Sequence, residues 1–451
     1  MAWYHKISRL FQRTKLNTRV FNIALPVFFA MISNTVIMVS DTIMVGKLGA
    51  IAIASAGLGG VIYYTILSIL LGGSYAVQIL TARRFGEKNT TGVGNVFYNS
   101  FLFSFFAGGI LSMVGFQYSD LIVRFLSSEP EVISLTSRFL AGRFTGTFIF
   151  FMIFSLRGFF DGLGITQAGM ISSFLVTFSN IFFNWIFIYG NLGFPAMGVP
   201  GAGFASALAG IPGLLVFPFF IWKKNIFRFS SGFHLSWKVI KEISVLGFAP
   251  SLEGLVTNSA FVIFTKLSGM IGTVSLAATN VMISILSISF MPGFSFGIAA
   301  TTILGQAMGA GKKRLAYHGT FRAALWSAIT MGFLGLVFIV SGKKLVTIIT
   351  NDPGIINEVY PALVLMAFVQ VGDAYHMVIG SALRGAGFVY WVLWMYFLAS
   401  FVIMVPLAWL FGIYFSLGTA GLWASVAFWI LALGITFVIR FRKKEWMNTV
   451  L

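Results

Sequence analysis

The sequence predicts an all-α polytopic membrane protein, with twelve transmembrane helices in two six-helix lobes related by a pseudo-two-fold axis along the membrane normal. Three observations carry that prediction. Hydrophobic residues make up 58% of the 451, charged ones only 9%, and the mean hydropathy is +0.92, far from the balance of a water-soluble chain. The apolar residues fall into runs of about 20 to 30, each long enough to cross ~30 Å of hydrocarbon as a helix. Lysines and arginines alternate between the two sides, 23 on the side of the termini and 7 on the other.

Taken in order, the runs cover about 17–47, 51–82, 93–116, 134–160, 166–190, 200–222, 243–268, 274–308, 318–342, 355–384, 387–412 and 416–440. The largest break is the polar stretch 223–242. The expected organisation is therefore a leader over 1–16, an N-lobe over 17–222, a linker over 223–242, a C-lobe over 243–440 and a tail over 441–451. Basic residues gather on the cytoplasmic face of membrane proteins, so both termini are expected in the cytoplasm, on a plasma (inner) membrane. An odd number of spans would scramble that alternation. The leader is basic and amphipathic and has no small-residue cleavage site after a short apolar core, so it is expected to remain uncleaved.

A net charge of +18 raises the question of nucleic acid. The basic residues lie between apolar runs instead of on one soluble face, so they read as topology signals and anchors to anionic lipid. The chain has no cysteine, which excludes disulfides, thiolate catalysis and thiolate metal sites. The partners expected are the lipid bilayer and a small molecule, with no nucleic acid and no cofactor, in a protein that functions as a monomer.

The halves resemble each other. Pro26 and Asn34 match Pro250 and Asn258 at an offset of 224, and Gly46, Gly49 and Gly86 match Gly269, Gly272 and Gly309 at 223. Leu-Arg-Gly recurs at 156–158 and 383–385, and Ala202-Gly203 recurs as Ala420-Gly421. Matching elements run the same way through the membrane, so these are parallel repeats, and transporters commonly place a substrate path between such repeats.

Of the twelve acidic residues, three fall inside apolar runs: Asp41, Glu253 and Asp373. An ionised carboxylate in hydrocarbon costs at least ~3 kcal/mol and normally faces a protein interior or a wet cavity. The plain alternative for Asp41 is a place near the outer interface, since Lys47 follows within two turns. At 1.5 Å per residue, Glu253 and Asp373 each lie about 15 Å from the cytoplasmic ends of their spans, so the two are expected to meet. Two such carboxylates cannot both ionise cheaply, so the pair should hold a proton or a metal cation. Asp161, four residues after Arg157, reads as a structural ion pair.

Polar companions accompany each acid. Asn34 lies two turns before Asp41, and Asn180 and Asn184 are one turn apart in the fifth span. Thr257 follows Glu253 by one turn, while Gln370 and His376 lie three residues either side of Asp373. Interhelical hydrogen bonding that only glues the bundle is the plain reading of the amides. His376 beside Asp373 suggests an acid–base dyad, but with no nucleophile motif and no cysteine, enzyme chemistry is not expected.

Five stretches in order resemble multidrug and toxic compound extrusion transporters, and within them the NorM-like branch: VSDTIMVGKLG around Asp41, LRGFFDGLG, FSNIFFNWIFIYG with Asn180 and Asn184, APSLEG around Glu253, and GDAYHMVIGSALRG from Gly372. The resemblance covers essentially the whole chain. It implies a cation-coupled antiporter that expels lipophilic organic cations and related xenobiotics through a central cavity between two lobes. Asp41 would be the N-lobe carboxylate, and Glu253 and Asp373 the cation site, with Na+ as the metal ion. Asn34, Asn180, Asn184, Thr257, Gln370 and His376 would line the cavity or contact substrate. Two departures matter: some members carry aspartate where this chain has Asn184, and Val369 stands where the sodium-coupled pattern has a tyrosine. The coupling ion is left open between Na+ and H+, with sodium favoured on the intact Glu253 and Asp373. The alternative is a lipid-linked oligosaccharide flippase of the same superfamily, which typically has fourteen spans and a cavity richer in arginine. A channel would need a continuous polar pore, and the ionisable residues are too sparse to line one.

Overall fold

The computed structural model describes residues 2–226 and 234–449. Met1, the middle of the expected linker with Arg228, and the last two residues of the tail lie outside the described residues. Helices dominate, and no strand occurs among the described residues. They are α1 (Ala2–Gly46), α2 (Ala50–Gly86), α3 (Thr90–Leu126), α4 (Pro130–Phe144), α5 (Thr147–Leu163), α6 (Gln167–Tyr189) and α7 (Val199–Lys224). After the polar stretch follow α8 (Trp237–Ile271), α9 (Thr273–Gly309), α10 (Lys313–Ile349), α11 (Pro353–Gly385), α12 (Val389–Tyr414) and α13 (Gly418–Arg442).

Eleven of these helices are long and apolar enough to cross a membrane, and α4 with α5, bent by 49° at a short break, make a twelfth span. Many apolar side chains face outward, among them Phe125 at 89% exposure and Val340 at 84%. In water such a surface would be a large exposed apolar patch; in a bilayer it meets solvent of its own kind. The chain is a multi-pass membrane protein.

The repeat predicted from glycines is visible in the helix bounds. α2 and α9 are each 37 residues long, as are α3 and α10, and each pair is displaced by the 223 residues that relate Gly49 to Gly272. Those two glycines precede α2 and α9 with φ of 108° and 157°, a region a Cβ disfavours. Pro130 and Pro353 open α4 and α11 in the first turn, where a missing N–H costs nothing. The halves differ in the fourth span. It bends between Phe144 and Thr147 in the first half and is the unbroken α11 in the second.

Packing divides the chain into two compact units, and both divisions fall inside helices. α1 up to Phe28 belongs with residues from Leu252 onward, and 29–251 form the other unit. Pro26 and Pro250 each lie within two residues of a crossing. The repeat begins with each helix, whereas the packing unit changes partway along it. In the unit of 29–251, Tyr63, Phe139, Leu140 and Phe144 fill the core beneath α2, α4 and α7. In the unit containing Leu252 onward, Phe264, Trp423, Phe437 and Phe441 are fully buried.

The repeated Leu-Arg-Gly has a packing meaning. Gly158 of α5 lies against the Ser74 backbone of α2, and a Cβ at Gly385 of α11 would stand 3.0 Å from Thr301 of α9. Small residues let membrane helices approach closely, which replaces the hydrophobic driving force that lipid removes. Gly158→Leu should therefore overpack the α2–α5 contact and cost about 1–3 kcal/mol. Gly109→Leu, which points into open space, should be near neutral; thermal unfolding in detergent, followed by the loss of monodisperse protein, distinguishes the two.

Candidate functional site: two buried carboxylate networks

α11 carries Gln370, Asp373, His376 and Arg384. The first three are spaced by three residues and Arg384 follows Asp373 by eleven, close to three full turns, so all four share one stripe of the helix. All four are buried, with exposures of 1%, 2%, 4% and 7%. Gly434 of α13 comes close to the Gly372 carbonyl and the base of His376, so the stripe is pressed against a neighbour with little room for water.

Arg384 forms an ion pair with Glu253 of α8, Nη1 to Oε1 at 2.6 Å. Its other terminal nitrogen donates to the Ser381 hydroxyl at 3.1 Å, and the guanidinium is within hydrogen-bonding reach of the Tyr396 hydroxyl on α12. The Tyr396 hydroxyl is 2.8 Å from His376 Nε2, and His376 Nδ1 is 3.0 Å from Asp373 Oδ1. An ionised carboxylate can only accept, so Nδ1 carries the hydrogen in this assignment; in a neutral imidazole Nε2 then accepts from Tyr396. The rings of Tyr396, Trp429 and Phe437 stand 5.4–5.8 Å from the imidazole and hold it in place. Glu253 and Asp373 are thus linked through Arg384, Tyr396 and His376.

Part of the network has no protein partner. Both amide atoms of Gln370, Oδ2 of Asp373 and Oε2 of Glu253 are buried without a hydrogen bond. Each such group costs about 1–3 kcal/mol unless water or an ion satisfies it. The unpaired oxygens of Gln370 and Asp373 lie one turn apart on α11 and suit a hard cation. Among the described residues no cluster of three or more His, Asp or Glu gathers to hold a metal.

The second network lies in the unit of 29–251. Asn184 Nδ2 donates to Asp41 Oδ1 at 2.6 Å and to Asn180 Oδ1 at 3.2 Å, and Asn180 Nδ2 donates to Ser206 Oγ on α7 at 3.1 Å. Ser33 with Thr177 at 2.6 Å and Tyr189 with the Met44 carbonyl at 2.8 Å fasten α1 to α6 on either side. Arg143 lies within electrostatic range of Asp41 and stacks 4.6 Å over the Tyr63 ring. Asp41 therefore faces a helix partner and a cation from within the protein.

The sequence-named residues sort accordingly. Asp41, Asn180 and Asn184 come together and Asp373 touches His376, but Glu253 and Asp373 do not meet as a pair: Glu253 is ion-paired to Arg384 and reaches Asp373 only through Arg384, Tyr396 and His376, with Gln370 one turn before Asp373. Thr257 is half-buried one turn from Glu253, and Asn34 is exposed. Asp161 stands 3.8 Å from Arg157, as the i,i+4 spacing suggested. Arg384 is a correction: counted among the basic residues of the terminus side, it is buried and ion-paired, because its position near the end of α11 still lies under α8 and α12. Sequence reasoning also missed Tyr396 and Arg143. Arg143 and Tyr396 carried no motif signal. Arg384 did, since its counterpart Arg157 has an acid one turn on and Arg384 has Phe388.

The sequence model of the MatE family matches residues 26–186 and again 251–410, two stretches about 225 residues apart that coincide with the repeats. A probable multidrug resistance protein NorM of Thermotoga maritima is 25% identical over 434 residues, 96% of this chain and 93% of that protein. Another NorM, from Listeria monocytogenes serovar 1/2a, is 29% identical over 90% of each chain. A solved multidrug resistance MATE family transporter of the MOP superfamily, in an outward-facing conformation, superposes with a TM-score of 0.89 at 21% identity, covering 96% of this chain and 97% of that one. A MOP superfamily transporter from Pyrococcus furiosus Vc1 gives 0.87 at the same identity, with the same shares covered.

Removing the Asn184 amide takes away the hydrogen bond to a carboxylate, while removing the Asn180 amide loses only neutral bonds, to Ser206 and Asn184. Asn184→Ala should lower stability by about 1–2 kcal/mol and Asn180→Ala by about half as much, given the modest value of neutral interhelical bonds in membranes. Thermal unfolding of the purified variants checks the order.

Proposed function

This chain belongs to the MatE family, and from that premise we propose that it is a secondary active multidrug efflux transporter, exporting lipophilic organic cations in antiport with Na+ or H+. The observation that carries the coupling is a charge count. Glu253 and Asp373 are linked to one guanidinium, Arg384, and one imidazole, His376, and the count takes both carboxylates as ionised and the imidazole as neutral. One net negative charge remains, in a place where hydration is scarce and oxygens of Gln370 and Asp373 are unpaired. One monovalent cation balances it. Gln370 brings an oxygen donor one residue away from Val369, which has none, and this supports sodium over protons.

Antiport follows from competition for that charge. A drug cation is drawn to uncompensated carboxylates and held by apolar and aromatic side chains. A coupling ion entering from the other side neutralises the same charge, weakens the drug's hold and shifts the protein towards release. Asp41, fixed by Asn184, supplies negative charge in the first half. In this reading the lobes 17–222 and 243–440 are the repeating parts of the machine, joined by 223–242. The protein works as a monomer in the inner membrane with both termini in the cytoplasm. No cofactor is required, because the ion gradient is the energy source.

Proteoliposomes loaded with a fluorescent lipophilic cation test this. An inward sodium gradient should drive efflux, and Glu253→Gln or Asp373→Asn should lower it to the level without a gradient while the protein stays folded. Robust antiport in both variants would sink the proposed ion site. Response to protons alone would move the coupling chemistry towards Asp41.

A further inference from the structure

The two Leu-Arg-Gly motifs are equivalent in sequence but their arginines are partnered differently. Arg157 has Asp161 one turn on in the same helix, at 3.8 Å. Four residues on from Arg384 is Phe388, beyond the end of α11, and its ring lies 5.0 Å from the Arg440 guanidinium. Arg384 instead takes Glu253 of α8. The register that pairs Pro26 with Pro250 puts Phe29 at the place of Glu253. Acid and phenylalanine have exchanged places between the halves: Phe29 with Asp161 in the first, Glu253 with Phe388 in the second. Each arginine has one acid, but only Arg384 borrows an acid that the coupling reading needs.

We propose that Arg384 is the tethered counter-ion of Glu253, a positioning residue that occupies this carboxylate until the coupling cation displaces it. The proposal rests on the coupling reading above. A guanidinium stays charged at any working pH, so Arg384 cannot leave Glu253 by losing a proton; it leaves only by moving. The two side chains are 8% and 14% exposed, and an ion pair so enclosed holds far more strongly than one on a surface. A small cation must therefore compete with it. Ser381 and Tyr396 offer the guanidinium neutral hydrogen-bond partners after it lets go. Tyr396 continues through His376 to Asp373, so arrival of an ion at Asp373 and release of Glu253 are linked by one chain of hydrogen bonds. Such a built-in competitor keeps ion affinity low enough for the ion to leave again, which transport requires as much as binding.

Equilibrium binding of radioactive sodium to the purified full-length protein, beside ion-driven efflux, tests the role. Arg384→Gln should lower the half-saturating sodium concentration by about tenfold or more, the scale of a lost buried competitor, and slow turnover at saturating sodium because the ion is released late. Arg384→Lys, which keeps the charge, should restore values near those of the parent. Ser381→Asp sets an acid where the Ser381 hydroxyl already accepts from Arg384, and it should also lower half-saturation with the arginine still present, so the test does not depend on the Gln variant folding. Unchanged half-saturation in folded Arg384→Gln and Ser381→Asp, with sodium-driven efflux intact in the parent, overturns this proposal alone. Loss of sodium binding in Arg384→Gln also overturns it, since the arginine would then be building the ion site. A parent protein that neither binds sodium nor responds to either gradient overturns the coupling reading and this proposal with it.

Discussion

A carboxylate and a guanidinium held together inside a largely apolar bundle set the terms for the rest of the structure. Two charges removed from water cost several kcal/mol each, and only a close partner with satisfied hydrogen bonds offsets that. Glu253 and Arg384 meet the first condition at 2.6 Å, and Ser381 and Tyr396 help with the second. The pair also needs α8, α11 and α12 in one register. The glycines that bring α11 against α9 and α13, Gly385 and Gly372, are therefore part of the electrostatics as much as of the packing.

The two halves share a frame and divide the chemistry. Helix lengths, the glycines at the start of α2 and α9 and the prolines that open α4 and α11 repeat at a nearly constant offset. Against that sameness the buried polar groups differ. The first half holds its acid by a hydrogen bond from Asn184, which also bonds Asn180, with Arg143 within electrostatic range. The second half surrounds its acids with a histidine, a tyrosine and an arginine. A duplicated frame lets one half specialise in this way because helix packing depends on small residues at a few contacts, which leaves other positions free to vary.

Buried oxygens on Gln370 and Asp373 have no protein partner, which costs stability unless water or an ion satisfies them. The aromatic rings of Tyr396, Trp429 and Phe437 pack around the His376 imidazole that links the two acids.

The sequence by itself determined the class, the span count and the repeat. These depend on run length, charge alternation and glycine spacing, all of which are local along a helix because every backbone hydrogen bond in a membrane span is satisfied within it. It also singled out Asp41, Glu253 and Asp373, because a charge in an apolar run is conspicuous wherever it points. Only the tertiary structure decided which groups face them. Arg384, 131 residues from Glu253 in the chain, and Tyr396, which no motif marked, meet the acids through the rotation and crossing of separate helices. So too does the packing boundary inside α1 and α8, where the sequence shows only a proline. Spacing along one helix reports which residues share its face; it carries no information about which neighbouring helix that face will meet.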